Sequence, residues 1–133
     1  YIPDEYISDS AQKIEIYHNI ALCKNEEDIQ NEIDEIIDRF GNMPPELENL
    51  LDIARIKYLA KNLYITKIMS KRTAVVFTFE QSKFNVNIEE LVKQYRNRIK
   101  FSPGVKPMIT LEIGTTNERQ ILNDVQEVLK ILQ

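Results

Sequence analysis

The spacing of apolar residues changes once along the chain, near Asn62, and this change limits the fold more than any other feature. Up to that point apolar residues recur every three or four positions, as they do in amphipathic helices. Beyond it, short runs rich in β-branched and aromatic residues are typical of strands. Helices first, then strands with further helices, predict an α+β fold. We expect one domain, 1–133, with a helical part at 1–63 and a sheet with helices at 64–133.

The first predicted helix covers 11–23. Two polar residues that suit the start of a helix, Ser8 and Asp9, precede it. The residues expected to face the core form one stripe with two isoleucines beside it: Ile14, Tyr17 and Ala21, with Ile16 and Ile20.

Two more helices complete the helical part. The second begins after Asn25, a good capping residue, and carries three acidic residues in its first turn, where the helix dipole favours them. It ends at Gly41, which tolerates the left-handed conformation that closes many helices. The third begins at Pro44 or Pro45, because a missing N–H costs little in the first turn, and runs to residue 63.

Four strands and two helices are predicted after residue 63. The strands are 64–69, 73–80, 98–102 and 107–113, and residues 70–72 form a tight connection between the first two. Asn87 caps a short helix between the second and third strands. A last helix is opened by the capping box Thr115-x-x-Glu118 and has a clean apolar stripe. These elements predict a small, mostly antiparallel sheet with two helices packed on it.

Charge is unevenly distributed along the chain. Residues 1–63 hold 6 basic and 14 acidic side chains, a net charge of −8. Residues 64–113 hold 9 basic and 4 acidic side chains, a net charge of +5, and 114–133 have a net charge of −1. An acidic helical part and a basic sheet part are the first indication of where partners bind.

The second helix presents most of the acidic charge. Residues placed about 100° apart put Glu35 and Asp38 opposite its apolar stripe, with Asp28 and Asn31 nearby. Two carboxylates three positions apart are neighbours in solvent and suit a partner that carries arginines. An acidic face is also a common way to keep a protein soluble, so both interpretations stay open.

The basic part allows two interpretations as well. Lysines and arginines with interleaved aromatic residues favour a nucleic-acid backbone as ligand. Lysines along a sheet edge also prevent unwanted strand pairing. We favour the second, and expect no DNA contact, because no stacking motif accompanies the charge. The residues of the nucleic-acid hypothesis are Lys93, Arg96, Arg98 and Lys100, followed by Lys106.

Several kinds of chemistry are excluded by composition. The chain has three glycines, too few and too scattered for a phosphate-binding loop. A single histidine, His18, and a single cysteine, Cys23, five positions apart leave neither a zinc site nor a Cys–His nucleophile pair. No apolar run approaches the ~20 residues that span a bilayer. We therefore expect a cytoplasmic chain with no catalysis, metal or cofactor of its own and no membrane contact.

Three segments resemble the C-terminal domain of the bacterial transcription-repair coupling factors, the Mfd translocases. They are YIPDEYI (1–7), QKIEIYHNIA (12–21) and IIDRFGNMPPELENLLDIARIKYLAKNL (36–63). Residues 64–133 agree with that family in their order of elements more than in their residues. The sequence opens on Tyr1 rather than Met, so we expect it to be a piece of a longer, multidomain protein.

The resemblance implies a function in transcription-coupled DNA repair. The domain would dock on the UvrB-like module of the same protein and mask its UvrA-binding surface, an autoinhibition released when the factor engages RNA polymerase. In such relatives, acidic residues before the Arg-Phe-Gly turn meet arginines of that module, and these positions correspond to Glu35 and Asp38. ATP and Mg²⁺ would bind only in motor domains that this chain lacks.

Overall fold

The computed structural model describes residues 1–80 and 86–133, which form an α+β fold, as the sequence predicts. Two compact units, Tyr1–Tyr58 and Leu59–Gln133, divide it inside the third helix. The described elements, in chain order, are α1 (Ser10–Ala21), α2 (Glu26–Phe40), α3 (Pro45–Asn62), β1 (Ile65–Lys71), β2 (Ala74–Phe79), α4 (Ile88–Tyr95), a 3₁₀ turn (Arg96–Arg98), β3 (Ile99–Ser102), β4 (Met108–Glu112) and α5 (Glu118–Leu132).

Polar side chains fix the helix starts of the first unit. The Asp9 carboxylate accepts the backbone N–H of Ala11 at 2.8 Å, so α1 begins at the predicted place. The Asn25 side chain accepts the N–H of Asp28 at 2.8 Å and starts α2. Gly41, with φ of +87°, ends α2 in the positive-φ region that glycine adopts without a Cβ clash.

The core of the first unit differs from the prediction for α1. Ile14 is 67% exposed and Ala21 is also exposed, whereas Ile16 and Ile20 are buried. The N-terminal segment explains the difference, because the buried side chains of Ile2 and Ile7 belong to the same cluster. The cluster is Ile2, Ile7, Ile16, Ile20, Ile29, Ile36, Leu47, Leu51 and Ala54. Apolar residues lie on more than one side of α1, so the packing of that segment decides which side is inside.

The sheet of the second unit is antiparallel with the order β1-β2-β4-β3. One face carries the buried side chains of β2 and β4: Val75, Phe77, Phe79, Ile109 and Leu111. The tight connection predicted at 70–72 is the shorter segment 72–73, because β1 continues to Lys71 and Arg72 takes the positive φ of the turn, +58°. The other predicted boundaries differ from the observed ones by no more than two residues.

The last helix has the predicted stripe but a different start. Leu122, Val125, Val128, Leu129 and Leu132 are buried, and α4 contacts both α5 and β3. The capping box at Thr115 is wrong. Asn117 caps α5 instead, by accepting the N–H of Gln120 at 3.0 Å, while the Thr115 hydroxyl accepts the N–H of Asn117 at 3.1 Å. An asparagine next to the first helical turn therefore takes the place that the Thr-x-x-Glu pattern indicates.

Candidate functional site

The acidic face of α2 lies where the helical spacing predicts it. Ile29 and Ile36 are buried on one side of the helix. Asn31 and Asp38 are exposed on the other, and the Glu35 side chain is 54% exposed. The placement of these side chains follows from the 3.6-residue period, and their role in docking stays a prediction.

Arg39 restrains one of the two predicted docking carboxylates. Its Nη1 lies 3.6 Å from Glu35 Oε1 and 3.4 Å from Glu15 Oε1 on α1. Its guanidinium also stands 4.9 Å from the centroid of the Phe40 ring. Asp38 has no ion-pair partner among the described residues, so it is the more available of the two carboxylates. The i, i+4 spacing of Glu35 and Arg39 is a sequence signal for this pair.

Asp28 is already engaged in hydrogen bonds at the start of α2 and is therefore less available to a partner. Its Oδ2 accepts the backbone N–H of Lys24 at 3.0 Å, and its own N–H donates to the Asn25 side chain. Asn25 therefore satisfies an N–H that the helix itself leaves free, and the Asp28 carboxylate holds the backbone of Lys24, just before the cap, against the first turn.

A cleft of about 410 Å³ lies beside α2 and the end of α1. Three predicted residues, Asp28, Asn31 and Glu35, line it, whereas Asp38 does not. The structure adds Asn19, Leu22, Cys23 and Glu32 to the lining. Sequence reasoning missed Leu22, 57% exposed, because a leucine at a helix end reads as part of the core.

The electrostatics of the cleft favour a cation. Burial raises the pKa of Glu32, and the neighbouring charge of Glu35 raises it further. Burial, followed by the charges of Glu32 and Asp28, raises the pKa of the Cys23 thiol, which also donates to the Asn19 carbonyl at 3.5 Å. A thiol whose pKa is raised is a weak nucleophile, so the arrangement suits binding of a basic group rather than catalysis.

A network on α3 holds the start of α2 in place. Arg55 Nε lies 2.9 Å from Glu26 Oε2 and its Nη2 3.0 Å from Oε1, a two-pronged contact. Its Nη1 reaches Asp52 Oδ1 at 2.8 Å, and Asp52 is only 8% exposed. The Tyr58 hydroxyl donates to Glu26 at 3.0 Å; burial, followed by this bond, raises the pKa of Tyr58 to about 12. Sequence reasoning missed the network because Glu26 and Arg55 are far apart along the chain.

The residues of the nucleic-acid hypothesis lie on α4, the 3₁₀ turn and β3. Lys93 Nζ is 3.7 Å from Glu89 on its own helix. Arg98 Nε donates to the Glu112 carbonyl at 2.9 Å, and its guanidinium lies 5.4 Å from the Tyr95 ring centroid. Arg96 and Lys100 are exposed. Two of the four cations are thus engaged within the chain, and nucleic-acid contact stays a prediction.

Neither a metal site nor a membrane-spanning helix is found within 1–80 and 86–133. No group of three or more His, Cys, Asp and Glu side chains there has an arrangement that would hold a metal ion. No helix in these ranges is both long and apolar enough to cross a bilayer.

Comparison with known proteins decides the family. The family model of the TRCF domain matches residues 1–91. The chain belongs to the TRCF domain family. The match covers the acidic helix α2 and its cleft, whereas Lys93, Arg96, Arg98 and Lys100 lie beyond the matched residues of this TRCF domain.

Curated relatives carry the name of the coupling factor. The chain is 40% identical over 130 residues to the transcription-repair-coupling factor of Rickettsia typhi, and 36% identical over 130 residues to that of Rickettsia prowazekii. Each comparison covers 97% of this TRCF-domain chain but 11% of the relative. The chain therefore spans a small part of the length of the relatives it matches.

A solved structure has the same fold. It is described as the crystal structure of the C-terminal domain of transcription-repair coupling factor, and it superposes with a TM-score of 0.84 over 98% of this chain and 86% of that one. The two are 24% identical in sequence, so the likeness is one of fold. The α+β arrangement of the TRCF-domain chain is thus found in a second protein.

Proposed function

We propose that the chain is the C-terminal domain of a transcription-repair coupling factor and acts as a regulatory docking domain without catalysis of its own. Family membership and the names of the relatives support the parent protein. The observation that carries the docking role is the outward acidic face of α2, with Asp38 lacking an ion-pair partner among the described residues and Glu35 at the rim of an acidic cleft.

The partner that fits this face is a basic module with arginines on its surface. A guanidinium grips a carboxylate through two parallel hydrogen bonds, so two arginines would match Glu35 and Asp38. The cleft would receive a third basic group or a longer side chain beside Asn31. We assign this partner role to the UvrB-like module of the same coupling factor.

Docking there would make the domain an autoinhibitory clamp. While closed, it would mask the surface of the UvrB-like module that binds UvrA. Engagement of RNA polymerase stalled at DNA damage would open it and so recruit excision repair in the bacterial cytoplasm. ATP and Mg²⁺ would be bound by the motor domains of the parent protein rather than by this chain.

The strength of such a clamp can be bounded. A closed state populated at 99% needs about 2.7 kcal/mol, half of the full swing between 1:99 and 99:1. Exposed ion pairs contribute about 0–1 kcal/mol each, so two of them are not sufficient. Leu22, exposed in the cleft wall, supplies an apolar contact, and covalent connection to the partner raises its effective concentration. A clamp held by such weak contacts is mostly closed, and a small change in free energy is sufficient to open it.

The test is UvrA binding by the full-length coupling factor that carries Glu35→Lys with Asp38→Lys. Charge reversal at both positions should open the clamp and raise UvrA affinity at least tenfold, which is 1.4 kcal/mol. The matched control is Glu5→Lys with Glu48→Lys, the same charge change at two exposed acids of the first unit that lie outside α2. Equal affinities in the double variant, the control and the parent would refute the clamp.

A second measurement uses the cleft itself. A cation bound beside Glu32 favours its ionised form and lowers its pKa, so docking should release a proton. Titration of this chain with the isolated UvrB-like module should then give tighter binding as the pH rises through the raised pKa of Glu32. Binding that is independent of pH in Glu32→Gln but not in the parent chain would locate the effect at this residue.

A further inference from the structure

The sheet has an open face, on the side away from its buried side chains. The proposed docking by α2 does not involve this face. Cross-strand pairing defines it. Val76 stands between Met69 on β1 and Thr110 on β4, and Thr110 stands opposite Lys100 on β3. In the next row Lys67 is opposite Thr78, and Thr78 is opposite Met108.

A bulge in β1 places two lysines on this face. The register shifts between Ile65, opposite Phe79, and Lys67, opposite Thr78. If Thr66 paired regularly opposite Thr78, strand alternation would turn Lys67 and Lys71 to the buried face. The bulge instead turns both to the open face and leaves Ile68 opposite the buried Phe77. Bulges of this kind re-aim side chains, and here the side chains are cations.

The face therefore has methionine and valine side chains near its centre and lysines on both flanks, with the exposed Glu112 of β4 at one end, opposite Ala74. Met69 and Met108 are 43% and 37% exposed, with Val76 partly buried between the rows. Lys67 and Lys71 line the β1 edge and Lys100 the β3 edge, all three exposed. None of them has an ion-pair partner within the described ranges. Their cross-strand neighbours are Thr78, Ala74 and Thr110, which carry no charge.

The dimensions select the shape of the occupant. Three strand spacings of about 4.8 Å separate β1 from β3, so the two basic flanks are ~14 Å apart. An α-helix with its side chains is about 10–12 Å across and fits between them. Acidic residues on both sides of its apolar stripe would reach Lys67 and Lys71 on one flank and Lys100 on the other.

We propose that the open face of this sheet, between Lys67 and Lys71 on one edge and Lys100 on the other, binds an acidic amphipathic helix of a partner protein. Its apolar stripe would cover Met69, Val76 and Met108, since exposed methionines adapt to different partners. A single-stranded nucleic acid fits less well. The strand register turns Phe77, Phe79 and Phe101 to the opposite face of the sheet, so they offer the bases no stacking platform on the open face.

The probe is a fluorescein-labelled synthetic helix of about 18 residues, with leucines at i, i+3, i+4 and i+7 and glutamates on both flanks. The 133-residue chain should bind it, and the variant Lys67→Glu, Lys71→Glu, Lys100→Glu should bind at least tenfold more weakly. The matched control, Lys24→Glu, Lys57→Glu, Lys61→Glu, makes the same charge change at three exposed lysines outside the strands and should bind as the parent does. Amide shifts in β1, β2, β3 and β4 should map the contact by NMR.

Four results would overturn the proposal. Absence of peptide binding up to ~1 mM would mean that the lysines only keep the edge strands from pairing. Equal loss in both triple variants would mean non-specific attraction. Binding of a DNA oligonucleotide that depends on the three lysines, without peptide binding, would assign the face to phosphate. Sedimentation completes the test, because self-association abolished by the triple variant would make a second copy of the chain the occupant.

Discussion

Arg39 and Arg55 in the first unit each contact two carboxylates, whereas Lys67, Lys71 and Lys100 in the second unit contact none among the described residues. Helices explain the first case, because they bring opposite charges together at i, i+3 and i, i+4 and across helix pairs. The sheet explains the second, because its register sets the lysines opposite uncharged residues. The two arginines of the first unit therefore help to build that unit, whereas these three lysines of the second unit remain available to a partner.

The largest effect expected from this contrast is at Arg55. Arg55→Ala removes the charged donor of the nearly buried Asp52 and both bonds to Glu26, and should lower the free energy of unfolding by about 2 kcal/mol. Lys100→Ala in the second unit should change it by less than ~0.5 kcal/mol, as surface substitutions usually do. Urea denaturation of the two variants measures the difference. Equal small effects would mean that the first unit does not depend on its ion pairs.

The helix starts allow a sharper comparison of the two units. Asn25 in the first and Asn117 in the second each accept an N–H from the helix that follows, so replacing either by alanine should cost about 1 kcal/mol. Thr115→Ala should cost little, because the N–H that the Thr115 hydroxyl accepts is that of Asn117, which precedes the helix. Thermal unfolding of the three variants tests this. A larger loss of stability for Thr115→Ala than for Asn117→Ala would mean that Thr115 caps the helix after all.

The smallest effect, at Glu32, tests whether the acidic cleft is strained without its partner. Because the folded state raises the pKa of Glu32, the unfolded chain gives up this proton at lower pH, and ionised Glu32 lowers stability at neutral pH. Glu32→Gln should therefore be more stable at pH 7 by a few tenths of a kcal/mol. The gain should shrink as the pH falls below the ordinary range of a glutamate. A gain in stability that is as large at low pH as at pH 7 would mean that the effect comes from packing instead.

The sequence alone determined the order of the elements and the direction in which α2 faces. The change in apolar spacing near Asn62 and the capping residues Asp9 and Asn25 are local signals. Each depends on residues that are neighbours along the chain, so the sequence is sufficient to detect it. The positions of Glu35 and Asp38 opposite the apolar stripe follow from the helical period alone. The resemblance of 1–7, 12–21 and 36–63 to the coupling factors was equally readable, and the match of the TRCF domain model to residues 1–91 confirms the family.

The tertiary structure alone decided which side of α1 is buried, which residues line the cleft and which face of the sheet carries the lysines. Ile2 and Ile7 come from a segment with no helical period. The sequence of α1 therefore does not predict that they pack with Ile16 rather than with Ile14. The bond from Arg55 to Glu26 joins residues far apart in sequence. The bulge at Thr66 shifts the register of β1 by one residue, and such a shift moves every later side chain of the strand to the other face of the sheet. Such features depend on pairing between distant segments, and no local pattern encodes that pairing.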